Sequence, residues 1–539
     1  MPDVLKRLDA RAERGFSMFL VIMAMFITAL FVAAAFAAAN GDLPVAGVAA
    51  ERKSDYAAAE AGLNYYLTRL QQDPDYWTKC DTGAAPNGTE QNPVNQVNAS
   101  TQRWRKIADT NDWYKIELLP AKNYEVAGDT YWTTCDPKKQ QTFVDNNTGT
   151  FRIRATGRVG TNANARTRSI IATFRRDSFL NFVYFTNYEN RDPAAETDAA
   201  KRATQVKNCS NKYRSQRTGC TEIQFATGDA VNGPLHTNDE SLLVCGSPTF
   251  GRAKVGDRSY GDTVEVRGDS GYVSACTGSQ PTMNTPTKGF TTNSKLLAMP
   301  ESNEQLKSVA QTSNSLYTGV TYIRLNGASM SITNNGATTT AQWPTSGVVY
   351  VQTDKTCDGE SPTAADYANE PVTCGNVYVS GTYSKSLTIA AENDVVIMPT
   401  GGASSPDITQ VDGSDSTLGL IANNFVRVGH RVGTNCGDNL TPVFKTVTIE
   451  AAVLALQHSF IVDNYQCGDA MTKLNVTGAI VQKFRGPVGT GSSGGGIASG
   501  YLKNYYYDDR FRYRSPPYFL TPVAAAWDVV RSHEVVKGS

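Results

Sequence analysis

The chain has 539 residues, and its 51 Lys and Arg balance 51 Asp and Glu. That neutrality leaves no overall field to attract nucleic acid or an anionic surface, and the length allows two to four domains at about 150 residues each. The 45 Gly, with frequent Thr, Ser and Asn, mark a β- and turn-rich chain; the ten Cys include no CxxC pair, which argues for disulfides in an oxidising compartment rather than zinc.

Residues 1–15 form a short charged leader carrying Lys6, Arg7, Arg11 and Arg14. No charged residue follows from Phe16 to Ala39, a run of roughly 36 Å if helical and long enough for a bilayer core. A secretory signal cut near Ala33–Ala35 is one reading, but the run exceeds the ~7–15 residues of a signal core. A plain membrane anchor is the second. The third rests on the leader ending in Gly15, followed at once by Phe16 and the apolar run. This arrangement resembles the class III signal of type IV pilins. The resemblance implies cleavage by prepilin peptidase between Gly15 and Phe16 and methylation of Phe16. The chain departs from major pilins at Leu20, where they carry a Glu that pairs with a neighbouring subunit. In that family the departure is typical of minor pilins and pseudopilins at or near the tip.

Residues 40–76 are expected to form an amphipathic helix. Tyr56, Ala59, Leu63, Tyr66, Leu67 and Leu70 fall at helical spacing, with Glu60, Asn64 and Arg69 between them. Pro74 stops it, and Asn40, Gly41 and Pro44 are expected to break or bend the join with the run 16–39. The string from Tyr56 to Leu63 resembles the "AAEAGL" helix of PilX-type minor pilins.

Residues 77–192 change to period two. Tyr114, Ile116 and Leu118 alternate with Lys115 and Glu117, and Phe151, Ile153 and Ala155 with Arg152 and Arg154. An antiparallel sheet packed on the amphipathic helix is expected, as in a pilin head. Cys80 and Cys135 are expected to pair, although connectivity cannot be deduced from sequence. Arg152, Arg154, Arg158, Arg166, Arg168, Arg175 and Arg176 read as a solvated outer face without interleaved aromatics, so nucleic acid is not favoured as a partner.

Residues 193–500 hold many apolar runs of three or four residues, such as Val348–Val351, Asn376–Val379, Asp394–Ile397, Phe425–Val428 and Val453–Leu456. They suit the faces of a parallel, right-handed β-helix, with a β-sandwich as runner-up. Cysteines near in sequence are expected to pair: Cys209–Cys220, Cys245–Cys276, Cys357–Cys374 and Cys436–Cys467. Because such folds occur among polysaccharide-active enzymes, we weighed carboxylate pairs. Asp239 with Glu240 and Asp412 with Asp415 are candidates, the latter also for calcium. Neither pair has a recognisable partner. His236, His430, His458 and His533 are scattered and form no triad pattern. Residues 233–251, 478–486, 505–510 and 515–518 look like stretches of large actinobacterial PilX-like proteins, which implies a β-helical head on a pilin stalk.

The Gly-rich run 489–496 lacks the ending of a phosphate loop. The aromatic, basic stretch from residue 501 is expected to cap the β-helix, so that 501–539 is a C-terminal cap. The expected fold is therefore mainly β with a long N-terminal helix. The expected function is a minor-pilin structural subunit of a type IV pilus-like filament, at the tip, priming assembly and displaying an adhesive head. No catalytic residue, cofactor or metal is expected. The expected partners are other pilins, prepilin peptidase, a membrane assembly platform, the membrane itself through residues 16–39, and a surface glycan or protein ligand. The expected location is the cell membrane as a single-pass protein, then the pilus surface. A membrane-anchored surface adhesin or carbohydrate-binding protein, and a polysaccharide-active enzyme, are the alternatives.

Overall fold

A computed structural model describes residues 16–72, 76, 104–119, 150–161, 166–255, 260–355, 357, 361–367, 371–491, 497–512, 514–523 and 527–535. The protein is mainly β, with a large mostly parallel sheet and an N-terminal α-helix. It divides into two compact units: residues 1–143, 152–173 and 529–539 make the first, and residues 144–151 and 174–528 the second.

The first unit is built on the helix Phe16–Gln72. The helix is continuous through Asn40, Gly41 and Pro44, where a break or bend was expected. A proline inside a helix removes one amide donor, and flanking turns can carry the segment across it. The described part of the helix runs to Gln72, and Pro74 lies outside the described residues. In its second half Asp55, Ala58, Ala59, Gly62, Tyr66 and Leu70 are buried at three- and four-residue spacing. The buried stripe includes Ala59, Tyr66 and Leu70 but leaves Tyr56, Leu63 and Leu67 partly exposed, so it lies slightly to one side of the expected face.

This stripe packs against a five-stranded sheet in the order Arg105–Lys106, Asp112–Leu119, Thr150–Val159, Arg168–Arg176 and Trp527–Val535. Asp112–Leu119 and Thr150–Val159 pair antiparallel, with Ile116 opposite Ala155 and Glu117 opposite Arg154. Burial alternates along both strands, the period-two pattern of a sheet with one wet face. On the outer face Arg154 donates to Glu117 across the strands at 2.9 Å. That face does carry an aromatic. Arg158 lies over the Trp104 ring at 4.0 Å and Lys115 at 5.5 Å, so the expectation of an aromatic-free basic face fails. Trp104 precedes the first strand and is brought there only by the fold.

Helix and sheet approach closely because the facing residues are small. A Cβ on Gly157 would stand 2.1 Å from the Asp55 carbonyl oxygen and 2.5 Å from the Ala59 amide nitrogen. One on Gly62 would stand 2.8 Å from the Tyr114 ring. The Asp55 carboxylate also accepts the Val159 amide at 3.0 Å, which ties the helix to the end of its strand.

The helix was expected to span a membrane through residues 16–39. This is overturned: among the described residues no helix is long and apolar enough to cross one. The expected single-pass cell-membrane location falls with it.

The second unit holds one continuous apolar core, from Phe179 to Leu520. Its sheet is a set of parallel ladders. In one, Val348 pairs with Thr388, Leu387 with Leu418, Leu420 with Val453, and Val453 with Ile480. The steps advance the chain by 40, 31, 33 and 27 residues, within the range of stacked-coil repeats. In a second ladder Val377, Val395, Val426 and Phe460 pair in succession. Short strands such as Leu387–Ala391 and Leu418–Ala422 suffice because each is flanked on both sides by others, and both are buried throughout.

The ladder does not follow chain order. Tyr184–Arg191 pairs parallel with both Ala470–Arg485 and Leu235–Thr237, so the strand just before the expected boundary at 192 belongs to the large sheet. Ile497–Tyr507 pairs parallel with Ala470–Arg485 and Ala230–Asn232, so it lies inside the sheet where a cap was expected. Disulfides join Cys209 to Cys220, Cys245 to Cys276, Cys357 to Cys374 and Cys436 to Cys467. Cys80 and Cys135 lie outside the described residues, as does Gly15.

Gly157→Ala is expected to destabilise the chain by about 1–3 kcal/mol, because the added methyl forces helix and sheet apart. Denaturant unfolding of the full chain measures this; an unchanged midpoint would show that the close approach is not needed.

Candidate functional site

Two features could carry function: the uncovered apolar part of the N-terminal helix, and the polar groups sealed into the large sheet. In the first, every described residue from 18 to 34 is exposed. Phe19 is 66%, Phe26 69% and Phe31 72% exposed, and the consecutive residues Leu20, Val21 and Ile22, which point in different directions around the helix, are 59%, 53% and 52% exposed. An amphipathic surface helix shows one apolar stripe, whereas this segment is apolar all round. Leu20 is 59% exposed, and nothing among the described residues covers it.

The predicted carboxylates do not form a catalytic pair. Asp239 is fully buried, and its carboxylate accepts from the amides of Glu189 at 2.8 Å and Arg214 at 2.9 Å and from the Arg217 guanidinium at 2.5 Å. Glu240 accepts from the Ser215 amide at 2.7 Å and its hydroxyl at 2.6 Å. Both carboxylates thus anchor the segment that carries residues 214–217. Asp412 and Asp415 sit exposed at a turn, and the Asp415 carboxylate lies 3.6 Å from Arg514. Among the described residues no group of three or more acidic, His or Cys side chains could hold a metal ion.

The four histidines are likewise engaged or isolated. His236 is buried between Glu265 at 2.9 Å on Nδ1 and the Asn238 amide oxygen at 3.1 Å on Nε2, stacked on Phe185. A triad would need a hydroxyl or thiol where Asn238 sits. His430 contacts the Asp463 carbonyl at 3.1 Å and Asn439 at 2.8 Å. His458 stacks on Phe425, with ring centroids 4.4 Å apart, and lies 3.2 Å from the Asp192 carboxylate. Burial opposes the charge on His458, but Asp192, helped by Asp394 and opposed by Lys483, outweighs it and holds the imidazole above its ordinary value. His533 is exposed in Trp527–Val535.

Sequence reading missed a buried ionic network. Arg427 is fully buried; its Nε donates to Asp463 at 2.7 Å and one terminal nitrogen to Asp394 at 3.2 Å. The Tyr367 hydroxyl donates to the other Asp463 oxygen at 2.5 Å, and the Phe425 amide to Asp394 at 2.9 Å. Burial lifts both carboxyl groups above their ordinary range, with Arg427 opposing. A second such pair joins Arg485 to Glu189 at 3.0 Å, with the guanidinium 3.6 Å from the Phe225 ring centroid. The signal was present: Arg427 sits between Val426 and Val428, and Asp394 opens an apolar run, where an unpaired charge would be prohibitive. With every carboxylate oxygen of Asp394 and Asp463 engaged, the network is suited to holding strands together.

No family model matches the chain, and no curated protein matches it. Among solved structures, the competence-associated pilin ComZ from Thermus thermophilus aligns over 90% of this chain and 97% of its own, at 12% identity and a TM-score of 0.28. A likeness at that level carries no argument about function.

Two outcomes are expected. Arg427→Met leaves two buried carboxyl groups without their cation and is expected to cost roughly 3–5 kcal/mol in denaturant unfolding; a loss under about 1 kcal/mol would show that the network is not under load. The charged His458–Asp192 pair contributes stability that is complete below the unfolded-state pKa of about 6.5 and is lost as pH rises through the higher folded value. The difference in stability between the wild-type chain and His458→Gln should therefore shrink from pH 6 to pH 8; parallel pH curves would exclude a charged pair.

Proposed function

We propose that the chain is a structural subunit of a type IV pilus-like filament, of the minor-pilin, PilX-like kind, and that it acts by assembly rather than catalysis. The observation that carries this reading is the all-round exposure of Phe19, Ile22, Phe26, Phe31 and their neighbours on a helix whose other half is seated on an antiparallel sheet. Burying one such side chain is worth about 1.5–3 kcal/mol, so a dozen together make a surface that water will not leave uncovered. A narrow seam would fit a single partner helix; an apolar girdle fits several. The occupants we assign are the apolar helices of other subunits.

The leader supports the same reading. Cleavage between Gly15 and Phe16 by a prepilin peptidase would place Phe16 first, ahead of the apolar girdle. Leu20 offers no carboxylate to a neighbour, which fits a subunit used at few positions, such as the tip, better than a repeating one. In this reading the parallel ladders of the second unit are a right-handed β-helix serving as an adhesive head.

The N-terminus of the protein from its native host, read by intact mass spectrometry, tests processing. A methylated chain starting at Phe16 is expected; one starting at Met1 or near Ala35 would overturn the proposal. Phe26→Asp tests the girdle. Because the side chain is uncovered, thermal stability should stay within about 0.5 kcal/mol of wild type. Recovery of the chain in sheared filaments should fall by about tenfold or more, as an unpaired charge enters an apolar contact. Recovery at the wild-type level would sink the proposed packing.

A further inference from the structure

The second unit contains a cavity of about 170 Å³ with no role in the filament reading. Its inner part includes Met471 and Tyr501, which are 7% and 3% exposed; its outer part includes Leu440 and Val443, 42% and 37% exposed. Met398, Pro442 and Phe444 complete the apolar wall. The wall is braced. The Tyr501 hydroxyl donates to the Phe444 carbonyl at 2.6 Å, and Cys436–Cys467 fastens the loop that carries residues 431–444. Gly429 leaves room at one side, where a Cβ would stand 2.9 Å from that of Met398.

Three polar side chains face this space: His430, Arg431 and Asn439. His430 and Asn439 are engaged with each other at 2.8 Å, and the second ring nitrogen of His430 meets the Asp463 carbonyl. Among the described residues, the exposed Arg431 guanidinium has no hydrogen-bonding or ion-pair partner. The site is thus an apolar chamber with one uncommitted planar cation. A chamber of about 150 Å³ lined by apolar side chains takes up a benzene ring, so this volume fits one ring and little more. Two thioethers, Met398 and Met471, with Phe444 and Tyr501, favour an aromatic guest over an aliphatic one through sulfur–ring and ring–ring contacts. A guanidinium matches a carboxylate in charge and in planar, two-point geometry.

We propose that this cavity binds a single-ring aromatic carboxylate, its ring among Met398, Phe444, Met471 and Tyr501 and its carboxylate on Arg431. Calorimetric titration of the full-length chain with phenylacetate and with neutral phenylacetamide, against a buffer-matched blank, tests the assignment. Phenylacetate should saturate one site per chain and bind at least about tenfold tighter than the amide. Arg431→Gln should weaken phenylacetate by about tenfold while leaving the amide nearly unchanged. Val443→Trp, which places a ring in the outer chamber, should abolish both without altering Arg431. Equal affinity for acid and amide, unchanged phenylacetate binding in Arg431→Gln, or no saturable binding up to about 10 mM would each overturn the proposal. Far-ultraviolet circular dichroism of each variant, matching wild type, keeps a folding failure from passing as lost binding.

Discussion

The second unit depends on one constraint: the strands of its parallel ladders have their backbone groups satisfied by strands distant in sequence, and any charge between them must be met from another rung. Arg427 shows how strictly this is obeyed. It lies in Val426–Val428, which pairs with Val395–Ile397 on one side and Phe460–Val462 on the other. Its two carboxylate partners flank those same strands, Asp394 just before one and Asp463 just after the other. One guanidinium therefore ties three successive rungs. Buried ion pairs are often no more stabilising than well-packed apolar groups, but they are intolerant of register error. A slip of one residue would turn Arg427 to the opposite face of its strand and leave both acids unpaired.

The first unit meets the opposite problem. Its sheet uses small residues, Gly157 against Ala58 and Ala59, to bring the helix close, and the Asp55 carboxylate then completes a strand end. The stripe that does this ends near residue 55, and from 18 to 34 the same helix carries large apolar side chains that nothing in the described chain covers. One continuous helix thus joins a seated half to an unseated half. That division is what the filament reading explains and a freestanding enzyme does not.

Local pattern was legible in the sequence; partnership was not. Alternation at Tyr114, Ile116 and Leu118 and at Phe151, Ile153 and Ala155 marked real strands with one wet face, because period two reports burial directly. The short apolar runs marked real strands of the large sheet for the same reason. Period two is silent about which strand comes next. Tyr184–Arg191 and Ile497–Tyr507 look like the end of one domain and the start of a cap, yet both lie beside Ala470–Arg485. The helical string around Ala59 and Tyr66 gave the seated half, but the exact stripe depended on the approach of Gly157, which only the fold supplies. Trp104 over Arg158, and the chamber beside His430, arise from segments that meet only after folding.

Chemistry in this molecule is confined by the closure of its core. The charges inside the sheet face one another and leave no oxygen of Asp394 or Asp463 for a substrate, so a ligand has to be met by the segments that connect the strands. The one spanning residues 431–444 is held at its tip by Cys436 and at its base by the short contact of Val432 with Asn439. Asn439 in turn is engaged by His430, whose other nitrogen contacts the carbonyl of Asp463, the residue that receives Arg427. The network that fixes the register of three rungs thus also fixes one wall of the chamber. A binding surface built this way inherits the rigidity of the sheet, which favours selection by shape over adaptation to the guest.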